Sequence, residues 1–505
     1  VFLKDLLKFC GTSLIGRLAG MTREVMFSAV FGVSVVGEAF LVALRLPNLL
    51  RTFFADGAVY GAVIPELAEE NVKNGKKSTF KLLTDIIATF SIVLMVLTFV
   101  IEFGAPIVLK FMAPGLIEGS ERWQATLKAL RILFPYLCCL SINTFFVSLL
   151  NVLGRYWVHP VLGVLLGAVN CSVMYYAKDF PDNLKLIYQC GSIILAGLIM
   201  ILFTISLCFH DGYRFPRPKI QLSDRMKGVF ARMAKTSIAT FGLHVNVFVD
   251  MCLASYLPMG QLTYLLFADR IHLLFVELFG TSMGTVLLPN FAVIKDDTKK
   301  LRGMFEDAFM ISFQVAVPVA CILFLCSDIF VKLFYGYGKF TIENCYYCAR
   351  ALSAFAIGMP AYVFTRILLS FFFAQKRNIV PIVVTSITIA INLMNNYFLM
   401  PKFQYIGLAL STVGAMWAGV FIYLAIILRD LSSMSFYVDL IRSVLWTTIF
   451  GLICYLIRLE YPFNSDDLFV THFMNLMIIS STLVGYFYFG KKLRINRIGR
   501  TKVIC

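Results

Sequence analysis

Fourteen apolar runs of about 20 residues, separated by short polar links, take up most of this chain and leave its backbone few solutions. Inside a hydrocarbon layer no water satisfies an N–H or C=O group, so a crossing segment closes those bonds within itself, as a helix. The runs lie at roughly 9–31, 35–65, 83–108, 127–151, 159–177, 185–209, 234–256, 261–291, 307–333, 345–371, 380–400, 404–428, 441–459 and 468–490. With 505 residues, 59% of them hydrophobic and 15% charged, and a mean hydropathy of +0.81, the chain is too apolar for a soluble enzyme. The fold class is an all-α polytopic membrane protein. Its first eight residues carry Lys4, Asp5 and Lys8 ahead of a run with a charged interior and no small-residue cleavage site, so the first run is expected to stay as a helix.

The net charge of +16 is distributed in a way that tests the count. Basic loops must fall on one side of the membrane if no crossing has been missed. Lys73, Lys76, Lys77 and Lys81 follow the second run, and Arg214, Arg217, Lys219, Arg225, Lys227 and Arg232 follow the sixth. Lys295, Lys299, Lys300 and Arg302 follow the eighth, Lys376 and Arg377 the tenth, and Lys491 to Lys502 form a basic tail. All land on one side, which places both termini in the cytoplasm. No motif that reads nucleic acid surrounds these charges, so topology explains them and nucleic acid is not an expected partner.

The chain repeats itself. GAVYGAVIPELAEE at 57–70 and GTSMGTVLLPNFAVIKDD at 280–297 each place a Pro beside a charged loop, and each follows a run with an internal arginine. SLLNVLGRYWVHP at 148–160 and SFFFAQKRNIVP at 370–381 each close a run, make a basic turn and restart at Pro. Two six-helix lobes follow, with a cavity between them and two further C-terminal helices outside the repeat. The expected division is a first lobe at 1–209, a basic cytoplasmic amphipathic linker at 210–235, a second lobe at 236–430, a helix pair at 431–490 suited to a lipid tail, and the basic tail at 491–505. Within the linker, Met226, Val229, Phe230 and Met233 alternate with basic residues as on a helix lying in a membrane interface.

Arginines inside the runs point to the cargo. Arg17 and Arg23 lie in the first, Arg45 and Arg51 in the second and Arg270 in the eighth. An unpaired charge at mid-bilayer costs about 2.5–3.5 kcal/mol even on the lenient insertion scale, so several of them require a polar cavity and, most simply, an anionic ligand. On a helix, positions seven apart differ by about 20° and stand about 10.5 Å apart, so Arg17 shares a face with Glu24, and Glu38 with Arg45. That spacing leaves each charge to pair across helices or with a ligand. Asp56, Asp269 and Glu277 complete the acids, and Glu277 shares a face with Arg270.

Small residues and prolines supply the mobile elements. Gly16 with Gly20, and Gly57, Gly61 and Pro65, step along helical stripes that permit close helix contact. Pro47 removes a helix hydrogen bond just beyond Arg45, where a bend is expected. A cation site would rest on Asp250 with amide oxygens such as Asn392, so Na+ or H+ coupling stays open beside the membrane potential. The five histidines show no metal-ligand spacing and there is no phosphate-binding glycine loop, so no catalytic constellation and no cofactor is expected. Cys345 and Cys348 form a CxxC without a preceding strand, which reads as helix packing.

GRLAGMTREVMFSAVFG at 16–32 and EAFLVALRLPNLLRTFFADGAVYGAVIPELAE at 38–69, followed in order by FPYL at 134–137, YLLFADR at 264–270, GTVLLP at 284–289, YGKFT at 337–341 and GLALS at 407–411, closely resemble the bacterial lipid II flippases of the MurJ (MviN) family. That family belongs to the polysaccharide-exporter superfamily, which includes the MATE antiporters. The resemblance covers about 1–430. It implies a fourteen-helix, V-shaped, MATE-like transporter of the bacterial inner membrane that carries lipid II outward for cell-wall synthesis. It also implies that Arg17, Arg23, Arg51 and Arg270 line a cationic cavity, with Arg45 where a lysine is common. Glu38 stands where the family usually has aspartate; Leu273 replaces a frequent glutamate, while Glu277 stands where glycine is common. Guanidinium forks suit a diphosphate because they bind its oxygens bidentately and stay charged at any physiological pH. A MATE-like cation-coupled drug antiporter, or a flippase for another polyprenyl-diphosphate-linked saccharide, remains the alternative. A monomer among membrane lipids is expected, and contact with cell-wall synthesis machinery is open.

Overall fold

The computed structural model describes residues 2–51, 62–218, 224–242, 245–294, 296–431, 434–460 and 481–488. Among these residues there is no strand, and seventeen helices follow one another along the chain. Eight helical stretches are long and apolar enough to cross a membrane. The protein is an all-α, multi-pass membrane protein.

Contacts divide the chain into two compact units, Val1–Thr263 with Tyr337–Thr341, and Tyr264–Gly336 with Ile342–Cys505. The first contains α1 (Phe2–Phe31), α2 (Val35–Arg51), α3 (Ile64–Phe103), α4 (Ala105–Met112), α5 (Glu121–Leu133), α6 (Tyr136–Val152), α7 (Val158–Ala177), α8 (Asp182–His210), α9 (Asp224–Gly242) and α10 (Val245–Ala254). α3 is two helices joined at Gly75, whose φ of 75° is costly for any residue with a Cβ. α1 lies on α7 at glycine distance: a Cβ on Gly16 would stand 2.9 Å from the Pro160 carbonyl oxygen, and one on Gly167 3.0 Å from that of Ala19. Gly20 does not share this seam, since a Cβ there would meet nothing within 4 Å. The seam is therefore Gly16 and Ala19 against Pro160 and Gly167, one helix face away from the stripe expected. α2 runs on through buried Pro47, Pro65 stands exposed in the first turn of α3, and Asp56, Gly57 and Gly61 lie outside the described residues.

α9 departs from the sequence-based expectation. Met226, Val229 and Met233 are buried, and with Phe230 they pack on Phe80, Leu83, Phe90, Phe145 and Tyr213. The apolar stripe therefore faces the protein core, leaving no lipid-facing apolar edge at these positions. An amphipathic pattern requires only a partner without water, and helices α3, α6 and α8 supply one. The basic face is held by acids: Arg225 donates to Glu66 at 2.8 Å and to Glu70 at 2.5 Å, and Arg232 also bonds Glu66.

The second unit contains most of α11 (Gln261–Val276), then α12 (Ser282–Ile294), α13 (Thr298–Leu325), α14 (Ser327–Tyr335), α15 (Ile342–Ala374), α16 (Ile379–Leu431) and α17 (Met434–Glu460). At 53 residues, α16 would be about 80 Å long if straight, far beyond a hydrocarbon core of about 30 Å. Gln404, at φ 53° and ψ −129°, folds it back on itself. Gly407 lies against Leu399, Gly414 against Asn395 and Gly419 against Thr388, so contacts recede evenly on both sides of the turn, as in an antiparallel hairpin. Its two legs are the runs expected at 380–400 and 404–428. α17 is fastened to this unit by Ser443 accepting from Gln314 at 3.1 Å and by a two-pronged pair of Arg458 with Asp328 at 3.0 and 3.1 Å.

Candidate functional site

In the first unit, Arg17 is half-buried and forms no ion pair among the described residues. Arg23 donates to the buried carboxylate of Glu24 at 2.7 Å. Arg45 and Arg51 are half-buried and neither is without a partner.

Glu38 pairs across helices, one of the two courses that its spacing left open. Only 3% exposed, it takes a hydrogen bond from Arg122 of α5 and another from the backbone N–H of Gly260 at 2.8 Å, while Arg122 also donates to the Leu257 carbonyl at 3.3 Å. Beside this clamp, Ser255 accepts from the Gly115 N–H at 2.8 Å. The acid therefore ties the first turn of α2 to α5 and to the loop before α11. Arg122 was missed because it precedes the fourth run, where a basic residue reads as a loop charge.

In the second unit, Arg270 and Glu277 are both exposed on the same side of α11, while Asp269 is partly exposed and turned toward His272. The helix then loosens into a π-turn, Glu277–Thr281, a distortion that accompanies functional sites in many helices. Gly280 and Gly284 lie against the side chain of Arg366, where added Cβ atoms would stand in ordinary contact at 3.5 and 3.6 Å. Arg366 is exposed in the last third of α15, within the run expected at 345–371, an arginine that the sequence reading passed over. Exposure of Arg270, Glu277 and Arg366 to lipid would cost several kcal/mol, so their surface is one that water reaches. Lipid-facing surface has another character, as on α3, where Ile92, Val96, Phe99 and Phe103 stand exposed.

The other expected groups are structural. Asn392 donates to Thr412 at 3.2 Å and its oxygen accepts from Asn396 at 2.8 Å, which bridges the two legs of α16. Asp250 belongs to the first unit and Asn392 to the second. Cys345 and Cys348 are buried and free, and Cys348 rests on the Tyr264 carbonyl at 3.6 Å.

A sequence model of the family described as lipid II flippase MurJ matches residues 27–478. The chain belongs to the MurJ family. A "Lipid II flippase MurJ" of Burkholderia cenocepacia is 28% identical over 460 residues, covering 88% of each chain. A "Probable lipid II flippase MurJ" of Buchnera aphidicola is 26% identical over 420 residues, 82% of this chain and 81% of the relative. In fold, the chain is similar to a solved structure titled "Lipid II flippase MurJ, inward closed conformation", at a TM-score of 0.80 and 21% identity over 96% of this chain and 99% of the other. An inward-facing multidrug resistance MATE transporter is more distant, at 0.64 and 14% identity over 82% and 97%.

Proposed function

We propose that this protein moves lipid II, the undecaprenyl-diphosphate-linked disaccharide-pentapeptide, from the cytoplasmic to the outer leaflet of the inner membrane, in support of cell-wall synthesis. Family membership carries the reading, and the arginines held half-buried within α1 and α2, Arg17, Arg23, Arg45 and Arg51, support an anionic cargo. The arginines offered to the diphosphate are Arg17, Arg45 and Arg51 in the first unit and, separately, Arg270 and Arg366 in the second. Arg23, bonded to Glu24, positions its neighbours and the acids set the resting pairs. The two repeat lobes act by alternating access, both termini face the cytoplasm, and the polyprenyl tail follows the apolar outer surface of α17, where Ile441, Leu445, Ile449 and Leu452 are exposed. The protein works as a monomer and performs no covalent chemistry.

A MATE-like antiporter shares the fold, but its cationic cargo would be repelled by clustered arginines. The test is translocation of labelled lipid II in proteoliposomes by the wild type and by Arg17→Ala, Arg51→Ala and Arg270→Ala, each first checked for membrane insertion. Loss of transport with normal insertion is expected. Wild-type transport of a lipophilic cation without any of lipid II would overturn the assignment, and undiminished transport in all three variants would remove the arginines from it.

A further inference from the structure

We propose that Lys185 and Lys339 form a binding site for the phosphate of a membrane lipid, at the end of the first unit opposite its basic turn at 214–217 and independent of the cargo proposed above. α8 starts at Asp182 and runs as one helix to His210, just before that turn, so its first residues stand at the other membrane face. Lys185 ends the first turn of α8 yet is only 5% exposed. A lysine so placed lies at the positive end of the helix dipole and away from water, two costs that call for a compensating anion. Asp182 supplies part of it: its Oδ1 lies 3.5 Å from the Lys185 ammonium and 3.7 Å from that of Lys339. Both gaps exceed the roughly 2.7–2.9 Å of a charge-assisted hydrogen bond, and one carboxylate serves two ammonium groups. Among the described residues Asp179, the other acid at this end, forms no ion pair. One positive charge is left over.

The two lysines are held in this arrangement by the backbone. Lys339 donates its N–H to the Ala29 carbonyl, near the end of α1, at 2.8 Å. Gly32 and Gly338, at φ 55° and 61°, flank that bond, and a Cβ on them would stand 2.6 Å from the Lys339 oxygen and 2.4 Å from the Ala29 oxygen. The seat admits only glycine there, and it carries the Lys339 side chain to Asp182. One turn beyond Lys185, Gln189 is 2% exposed; its Nε2 donates to Asn170 at 3.1 Å, while its Oε1 has no hydrogen-bond partner among the described residues. A buried acceptor on the inner side of the ammonium favours its charged form and leaves the outward N–H groups to a ligand. The surroundings say which anion. Tyr176, Phe180 and Tyr188 meet edge to face at 5.3 to 6.1 Å, and the two tyrosines are exposed, as aromatic rings are at head-group depth. Tyr188 adjoins Lys185 on α8, and Leu195 and Leu202 continue its exposed face, a surface that suits an acyl chain. A phosphodiester brings the single negative charge that the pair lacks, on a molecule whose chains cover that surface. Free phosphate would gain nothing from it.

The experiment uses the full chain in detergent micelles, with dioleoylphosphatidylglycerol as the probe, dioleoylglycerol as its phosphate-free counterpart and inorganic phosphate as the free anion. Brief acetylation read by mass spectrometry reports each lysine of the wild type. Half-exposed Lys339 should acetylate about tenfold more slowly once phosphatidylglycerol is added, relative to exposed Lys178 at the same end of the unit. Neither dioleoylglycerol nor inorganic phosphate at equal concentration should protect it. By native mass spectrometry, Lys185→Gln and Lys339→Gln should each weaken phosphatidylglycerol binding about tenfold, the worth of one charge-assisted hydrogen bond, while Lys339→Arg and Lys178→Gln retain it. Equal acetylation of Lys339 with and without phosphatidylglycerol overturns the proposal, and so does equal protection by inorganic phosphate. Undiminished binding in Lys339→Gln, whose exposed position spares the fold, overturns it as well.

Discussion

Removing Arg122 should cost more than removing the charge of its partner, Glu38. The carboxylate is 3% exposed, whereas the Arg122 side chain keeps 23% of its surface. Alanine at 122 leaves a buried anion with only the Gly260 N–H, and the Leu257 carbonyl also loses a donor. Losing one partner of a buried pair costs about 3–5 kcal/mol, and the part-exposed arginine places this case near about 3. Glu38→Gln keeps the shape and one acceptor, and water still reaches the guanidinium, so about 1–2 kcal/mol is expected. Once Glu38 is neutral, Arg122→Ala orphans no charge, and the double variant should cost about 1.5–2 kcal/mol less than the sum of the two, a factor of 10 or more in the unfolding equilibrium. Reversible unfolding of the four proteins in nanodiscs measures the coupling. Additivity within about 0.5 kcal/mol would refute the clamp as an energetic unit.

Acid should loosen the first unit around Glu70. Hydrogen bonds from Ser78, Asn74 and Arg225 hold the Glu70 carboxyl down at about 2, so its stabilisation is complete above about 4.5 and is lost as pH falls toward 2. With solvent screening at half-exposed Arg225 this is worth about 1–2 kcal/mol, and Glu70→Gln should flatten that limb of a stability-versus-pH curve. Gly16→Val should destabilise by about 1–3 kcal/mol through the Pro160 contact, while Gly20→Ala should be neutral or gain up to about 1 kcal/mol, as paired thermal melts will show. Arg458→Ala should loosen α17 from α14 and raise amide hydrogen exchange in 441–456 ahead of the rest of the second unit.

The number of apolar runs, their helical state and the arginine positions were legible because each depends on local composition and on the bilayer's demand for internal hydrogen bonds. Pairing was less accessible. Glu38 lies 84 residues from Arg122 and 222 from Gly260, and helical spacing reports only neighbours on the same helix. The stripe of Met226, Val229 and Met233 was visible, but its periodicity is the same whether it meets lipid or protein. Gly16 and Gly20 differ only in what lies opposite them. Asn392 was read for its amide oxygen, and that this oxygen accepts from Asn396 depends on side-chain rotamers that the sequence does not report. His272 was seen only as one of five histidines without metal spacing; its burial next to Asp269 is a tertiary fact.

The turn at Gln404 also constrains how the chain enters the membrane during synthesis. The first leg of α16 carries Asn392 and Asn396, whose amides are fully buried only because the second leg brings Thr412 and Gly414 against it. A nascent chain released after the first leg would present those amides to hydrocarbon, and with no loop at the turn there is nowhere for the leg to wait alone. The two legs should therefore leave the translocon as one hairpin. With only the first leg outside the ribosome, a photocrosslinker at Leu393 should stay on the translocon, and with both legs outside it should reach lipid.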